Sequence, residues 1–521
     1  MNELLKRLGI GTFIGLIVGF LVAFGTNIEG FFLTDLLDGY EYQSYDARMQ
    51  AEVAGTEEAS IDTVVIIDIE QQSTLPVEEG GLGRYYNWPQ AYHGQLIDVV
   101  SSGEPDAILF DIIFDPENTF NYDLIKALNS EDTPQDEYLA DVTNQFLVSN
   151  DPTRMVSSTY KSQKTYHALV FEEEDTLIFL YKMDSEPEGY DRPDHLIQLP
   201  DDQVRQLPKA DRLGNTFPDL LQASVGNGSA NFPQDDDGII RRAPTAIWFE
   251  GPNHVYPSLT MAAAMDILGV PKDGLNYNFE KLILTMRDTT GKIVREIPID
   301  EKGRMYVNYY GYFKTFYYLP YIYCMDPELL DPSYWKGKVA IVGASLPGLM
   351  DLRNTPVQET FSGVEIHANV IHSILQNEFV SITNANTNFW TILILCVLLG
   401  IVVSIPSKPL YTILAPVIAI IAWVIFTYNE YLTGLKMWEI IRPTISMGGT
   451  YLGIFLYNFL VVEKDKRFLK NTFGTYISPE LIEQMYENKE EPQLGGEEGY
   501  HTAYFTDIQS FSSFSEKLTA S

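Results

Sequence analysis

Four stretches of this chain are too long, too apolar and too free of charge to be ordinary surface. Residues 8–25 read LGIGTFIGLIVGFLVAFG, directly after Lys6 and Arg7. Residues 389–405 read FWTILILCVLLGIVVSI, 410–428 LYTILAPVIAIIAWVIFTY and 443–462 PTISMGGTYLGIFLYNFLVV. At about 1.5 Å rise per residue, roughly 18 to 20 residues cross the hydrocarbon core of a bilayer. Each run is expected to be a transmembrane helix. The PSKP link at 406–409 leaves room only for a turn, so the second and third runs form a hairpin. A cleaved signal peptide is the alternative for 8–25, with Ala23-Phe24-Gly25 at the cleavage site. That run, however, exceeds the usual apolar region of about 7–15 residues. A buried hairpin in a soluble protein is the alternative for the later runs.

Basic residues orient the spans. Lys6 and Arg7 precede the first, Lys408 lies in the hairpin turn, and Lys464, Lys466 and Arg467 follow the last. With the N-terminus inside, four spans put every one of these clusters in the cytoplasm, as the positive-inside rule requires. Residues 26–388 are then extracytoplasmic and the chain after 462 cytoplasmic. This predicts a multi-pass protein of the cell (inner) membrane.

Charge narrows the partners. Asp and Glu number 71 against 35 Lys and Arg, a formal net charge of -36. Nucleic acid is excluded as a partner, because phosphate backbones are bound through Lys and Arg. Two cysteines, Cys324 and the span residue Cys396, are expected not to pair and leave no disulfide framework or Cys-based zinc site.

The large extracytoplasmic block alternates strand and helix patterns. VVIIDI (64–69) and AILFDIIF (107–114) read as buried strands, with the amphipathic AYHGQLIDVVSSG (91–103) between them. The β-α-β order predicts a parallel pair. KVAIVGA (338–344) is another strand, and GVEIHANVIHSIL (363–375) a helix after it. The fold class is α/β, with helices packed on a mostly parallel sheet. Residues 120–235 read as polar, irregular insertions.

Asp68, Asp111 and Asp115 lie at the carboxyl ends of predicted strands, where α/β sheets place ligand crevices. They are the candidate sensor-ligand residues; capping of a following helix, or pairing with Arg241 or Arg242, is the structural alternative. GASLPGLMD (343–351) could present backbone N–H groups to an anion but lacks a Walker Gly-Lys-Ser/Thr, so a tight turn is expected. His367 and His372 are five apart, not the four that places a metal-binding pair on one helix face. They are expected to be core or surface histidines.

Several stretches in order resemble the type-two CHASE domain, a family of extracytoplasmic sensor modules. They are VVIIDIEQQS, Asn87-Trp88-Pro89, AILFDIIFDP, DDDGIIRRAP (235–244), YPSLTMAAA (256–264), GKVAIVGASLPGLMDLRNTP (337–356) and GVEIHAN (363–369). The chain departs from the family by carrying NWPQ where a Trp-Pro-Trp or Pro-x-Arg pattern is usual, and by its acidic insertion. The resemblance implies a sensor for an unidentified extracytoplasmic ligand, followed by three spans and a cytoplasmic output.

Residues 463–495 contain a helix start at Ser478-Pro479-Glu480 and are expected to form a cytoplasmic coupling helix. The stretch that follows, PQLGGEEGYHTAYFTDIQSFSSFSE, resembles the beginning of a class III nucleotide cyclase catalytic domain, an α+β fold of ferredoxin-like type. Phe505, Asp507, Ile508, Phe511, Ser512 and Glu516 fill its pattern, with Ser512 in place of the usual Thr. The resemblance implies that the Asp507 side chain and Ile508 carbonyl hold two Mg2+ or Mn2+ ions, and that Phe511 and Ser512 bind phosphate through their N–H groups. It also implies a homodimer, since such sites form between two chains, and ATP or GTP as substrate, with adenylate cyclase favoured. The family's second metal aspartate stands some forty residues beyond the first, so the 521 residues by themselves are expected to be inactive. A CHASE-containing receptor kinase and a non-catalytic membrane sensor are the alternative readings; a transporter is disfavoured, because the spans carry no charged residue marking a path.

Overall fold

The computed structural model describes residues 2–25, 32–114, 151–172, 182–214, 217–346, 352–405, 409–462, 502–507 and 509–510. The chain forms two compact units, residues 1–451 and 452–521. The first unit carries helices α1 (Asn2–Gly25), α2 (Phe32–Val53), α3 (Gln90–Ser102), α4 (Thr153–Ser162), α5 (Leu259–Ile267), α6 (Gly363–Gln376), α7 (Ala385–Ser404) and α8 (Pro409–Gly434). Helix α9 (Ile441–Tyr457) begins in it.

Its centre is a six-stranded sheet built from β1 (Ile61–Ile69), β2 (Ala107–Phe110), β3 (Thr165–Leu169), β4 (Gly226–Ser229), β5 (Phe316–Pro320) and β6 (Val339–Ala344). The spatial order is β5-β1-β6-β2-β3-β4, and every neighbouring pair is parallel. A parallel sheet must be covered on both faces, which is why its strands read as continuous apolar runs. Side chains alternate between two cores. Val64, Ile66, Leu109 and Ile341 pack with α5 and α6, whereas Val65, Ile67, Ile108, Phe110 and Val342 pack with α3 and α4. Each fully buried aliphatic side chain stabilises the body by about 1.5–3 kcal/mol.

Three sequence expectations need correction here. The strands at 64–69 and 107–110 are parallel but are not neighbours. β6 lies between them, with Val339 opposite both Val64 and Ala107. The strand at 107 ends at Phe110 rather than at residue 114. The stretch read as irregular insertions supplies α4, β3 and β4 to the central layers. β4 is Gly-Asn-Gly-Ser, without the branched residues that advertise a strand. Of its two glycines, Gly228 is there for clearance: a Cβ on it would lie 2.6 Å from the backbone of Leu259 at the start of α5.

Among the described residues, three helices are long and apolar enough to cross a membrane: Leu4–Gly25, Ala385–Ser404 and Leu410–Gly434. The fourth expected span is α9, whose 17 residues reach about 26 Å, short of the roughly 30 Å core. Residues Asn458–Val462 extend it as a π-helical turn. Helices α1 and α7 meet at glycines. A Cβ on Gly15 would lie 2.5 Å from the Cys396 carbonyl oxygen, and one on Gly400 2.2 Å from that of Gly11. Small residues let helix backbones approach this closely in an apolar medium. Both cysteines are free and buried.

In the second unit, residues 502–507 carry no regular secondary structure, with Tyr504 and Phe505 exposed. Residues 463–495, the expected coupling helix, lie outside the described residues.

Candidate functional site

The carboxyl edge of the sheet holds two of the three predicted aspartates. Asp68 points to the α6 side of β1 and is 3 % exposed. Burial raises its pKa, opposed by Ser345, which donates from its N–H (2.8 Å) and hydroxyl (2.6 Å) to the two carboxylate oxygens. Asp68 therefore pins the loop that leaves β6. Asp111 follows β2 and lies 3.5 Å from Nε2 of His367 on α6. Phe232 packs on the His367 ring at 4.4 Å, and the buried Nδ1 of His367 has no partner among the described residues. His372 is also buried and bonds Thr63. Asp115 lies outside the described residues, as does 347–351 of the loop read as a tight turn. A cavity between Phe114, His167 and Phe217 measures about 10 Å³, room for about one water.

The arginines of RRAP pair elsewhere than with those aspartates. Arg241 is fully buried and faces helix α2. Its Nε and Nη2 each donate to Asp46 at 2.7 Å, while Nη1 and Nη2 reach Asp237 at 3.0 and 2.7 Å. Burial opposes the Arg241 charge, but the carboxylates outweigh it and its pKa rises. Arg242 donates to Asp235 and to Asp300, and Arg304 also binds Asp300. These partners meet because the strand Arg242–Pro244 pairs antiparallel with Arg304–Tyr306, and Gly238 (φ 81°) turns Asp235 back beneath them. The ring of Tyr42 on α2 lies 4.8 Å from the Arg241 guanidinium. Helix α2 is thus clamped to the body by buried ion pairs and a cation–π contact.

The same helix grips the link between α8 and α9. Glu41 accepts from the N–H groups of Ile440 and Ile441, each at 2.8 Å. Arg48 donates to the Trp438 carbonyl at 2.8 Å, and Arg442 donates to Asp38. Within the link, β8 (Lys436–Met437) pairs in parallel with β7 (Ser381–Ile382), just ahead of α7. Glu439 gathers the helix ends. Its carboxylate takes bonds from Asn388 of α7 and Arg442 of α9, and its carbonyl from Trp423 of α8. Burial pushes its carboxyl up to about 7 against the pull of Arg442.

One helix, α2, is therefore bonded both to the α/β body and to the link between α8 and α9. Compared with known protein families, residues 16–405 match the CHASE2 domain. The chain belongs to the CHASE2 domain family. CHASE2 is an extracytoplasmic sensor domain of membrane receptors, and its match here takes in the later part of α1 and all of α7 as well as the α/β body. No curated protein and no solved structure matches the chain.

Sequence reasoning missed the α2 clamp. Its trace was present, because Leu37, Glu41, Tyr45, Arg48 and Glu52 recur at three- and four-residue steps along one helix face. At the other end of the chain, Asp507 is exposed, while Ile508, Phe511 and Ser512 lie outside the described residues. Among the described residues no group of three His, Cys, Asp or Glu side chains could hold a metal ion.

Proposed function

We propose that this chain is the sensor and transducer of a receptor nucleotide cyclase of the cell (inner) membrane, using ATP. The observation that supports it is the order along one chain: the CHASE2 domain at 16–405, apolar helices, then AYFTDIQSFSSFSE. The N-terminus and the cyclase end are cytoplasmic in this reading, and the chain works as a homodimer. An extracytoplasmic ligand shifts the body, and α2 carries the shift to the ends of α7, α8 and α9 through Glu41 and Asp38.

An aspartate is a hard oxygen donor of the kind Mg2+ and Mn2+ take, and Asp507 is solvent-accessible. Two such ions would stabilise the attacking and leaving oxygens of phosphoryl displacement. Asp507 and the Ile508 carbonyl would hold them, with Phe511 and Ser512 toward the phosphates.

The test is cyclic nucleotide formation by membranes that contain the natural gene product, with Mg2+ or Mn2+. Cyclic AMP from ATP is expected, reduced at least 100-fold by Asp507→Ala. A product that cyclises no nucleotide, or that ignores this substitution, overturns the reading. Transfer of labelled phosphate from ATP to protein would point to the receptor kinase instead.

A further inference from the structure

A cleft of about 710 Å³ opens between α2, the sheet strands at 283–304, the start of α7 and the α8–α9 link. That volume suits a small molecule, since such sites run to about 300–1,000 Å³. Its charge is unlike that of the rest of the chain. Arg242, Lys281, Lys302, Arg304 and Lys436 line it. The acidic lining residues are Asp38, Asp300 and Glu301. Several of these charges are already satisfied. Asp300 holds Arg242 and Arg304, and Asp38 holds Arg442. Lys281, Lys302 and Lys436 make no ion pair among the described residues, and Glu301 is the one acid left to face them. Lys436 sits with its ammonium 4.7 Å from the Trp438 ring.

A surplus of cations in a chain of net charge -36 runs against the background. A second feature has the same sign. Asn384 and Thr387 line the cleft, so it takes in the N-terminus of the 20-residue helix α7, whose first turn carries no acidic residue. Asn384 caps one amide, accepting from Thr387 N–H at 2.8 Å. The positive end of the helix dipole and the remaining first-turn amides favour an anion there.

We infer that this cleft binds a phosphate-bearing anion. The three unpaired lysines and the start of α7 hold the phosphate, and the ligand bridges the sensor body to the ends of α7 and α8. The binding claim stands apart from the cyclase reading. Because the outer end of α7 enters the cleft, the phosphate could be that of a lipid headgroup or of a soluble compound, and the two arms of the test separate them.

The full chain is placed in nanodiscs of phosphatidylcholine and titrated with radiolabelled inorganic phosphate; a parallel sample is titrated with short-chain phosphatidylglycerol. Saturable binding in at least one arm is expected, weakened at least tenfold by the combined variant K281Q/K302Q/K436Q. Phosphate binding identifies a soluble ligand, and phosphatidylglycerol binding alone a lipid. These lysines are solvent-accessible, and an unchanged melting temperature shows that the variant folds. The inference fails if neither probe saturates the wild type, or if the folded triple variant binds both within threefold of it.

Discussion

Arg241 and Asp46, 195 residues apart, form a two-point ion pair at 2.7 Å that closes helix α2 onto the sensor body. Asp235 and Asp237 complete the arginine's shell, and its side chain has no exposed surface. Replacing Arg241 with Met leaves three carboxylates facing a buried apolar chain. Removing one partner of a buried ion pair costs about 3–5 kcal/mol, mostly because the other partner is left unpaired. R241M is therefore expected to lower the unfolding midpoint sharply. R241K should recover only part of it, because an ammonium cannot reproduce the planar fork. Denaturant unfolding of the purified chain measures both.

Glu41 should decide whether the α8–α9 link stays docked. Its two oxygens take the N–H groups of Ile440 and Ile441. E41A leaves those amides, of which that of Ile440 is buried, without their acceptor, at about 1–3 kcal/mol. Amide hydrogen exchange is expected to accelerate by tenfold or more at 440–441, with the strands at 64–69 unchanged. Equal exchange in wild type and variant would show that the link is held by other contacts.

Glu365 makes stability depend on pH. Burial pushes its carboxyl up to about 7, opposed by the N–H groups of Lys314 and Phe316 and by the Tyr318 hydroxyl. The unfolded chain releases this proton near 4.5, so between about 4.5 and 7 the folded state binds more protons. Its contribution is fully present below 4.5 and is lost as pH rises through 7. E365Q, which cannot ionise, is expected to gain stability relative to wild type as pH goes from 5 to 8. Paired melting curves at the two values check the direction.

The α1–α7 crossing predicts a contrast between two glycines of one helix. A methyl on Gly15 runs into the Cys396 carbonyl, which has no side-chain freedom to yield, whereas nothing lies within 4 Å of a Cβ on Gly9. G15V is expected to destabilise the detergent-solubilised chain by about 1–3 kcal/mol, the usual cost of overpacking. G9V should melt like wild type. Equal behaviour of the two would mean that α1 and α7 are not packed this way in solution.

The α/β class and the apolar helices could be read from residue pattern because each depends on neighbours in sequence. VVIIDI and VAIVGA are buried on both faces, and that requirement alone produces a branched apolar run. The ends of the long helices moved by a few residues, since the mostly polar Ala385-Asn386-Thr387-Asn388 extends α7 ahead of its apolar stretch. β4 escaped notice because close packing against α5 selects glycine there, which removes the usual sign of a strand. Asp68 and Asp111 were found at strand ends as expected, yet Ser345 already fills the carboxylate of Asp68. The arginines of RRAP were legible as a motif, but not their partners.

The sequence by itself determined where the chain is apolar enough for a bilayer or a buried sheet, because hydropathy and side-chain period are properties of short segments. Only the tertiary structure decided that β6 enters between β1 and β2, that α2 reaches Arg241 with one carboxylate and the α8–α9 link with another, and that three lysines line one cleft with the start of α7. Those are meetings of residues tens to hundreds of positions apart, set by how the layers pack, and no local pattern records them.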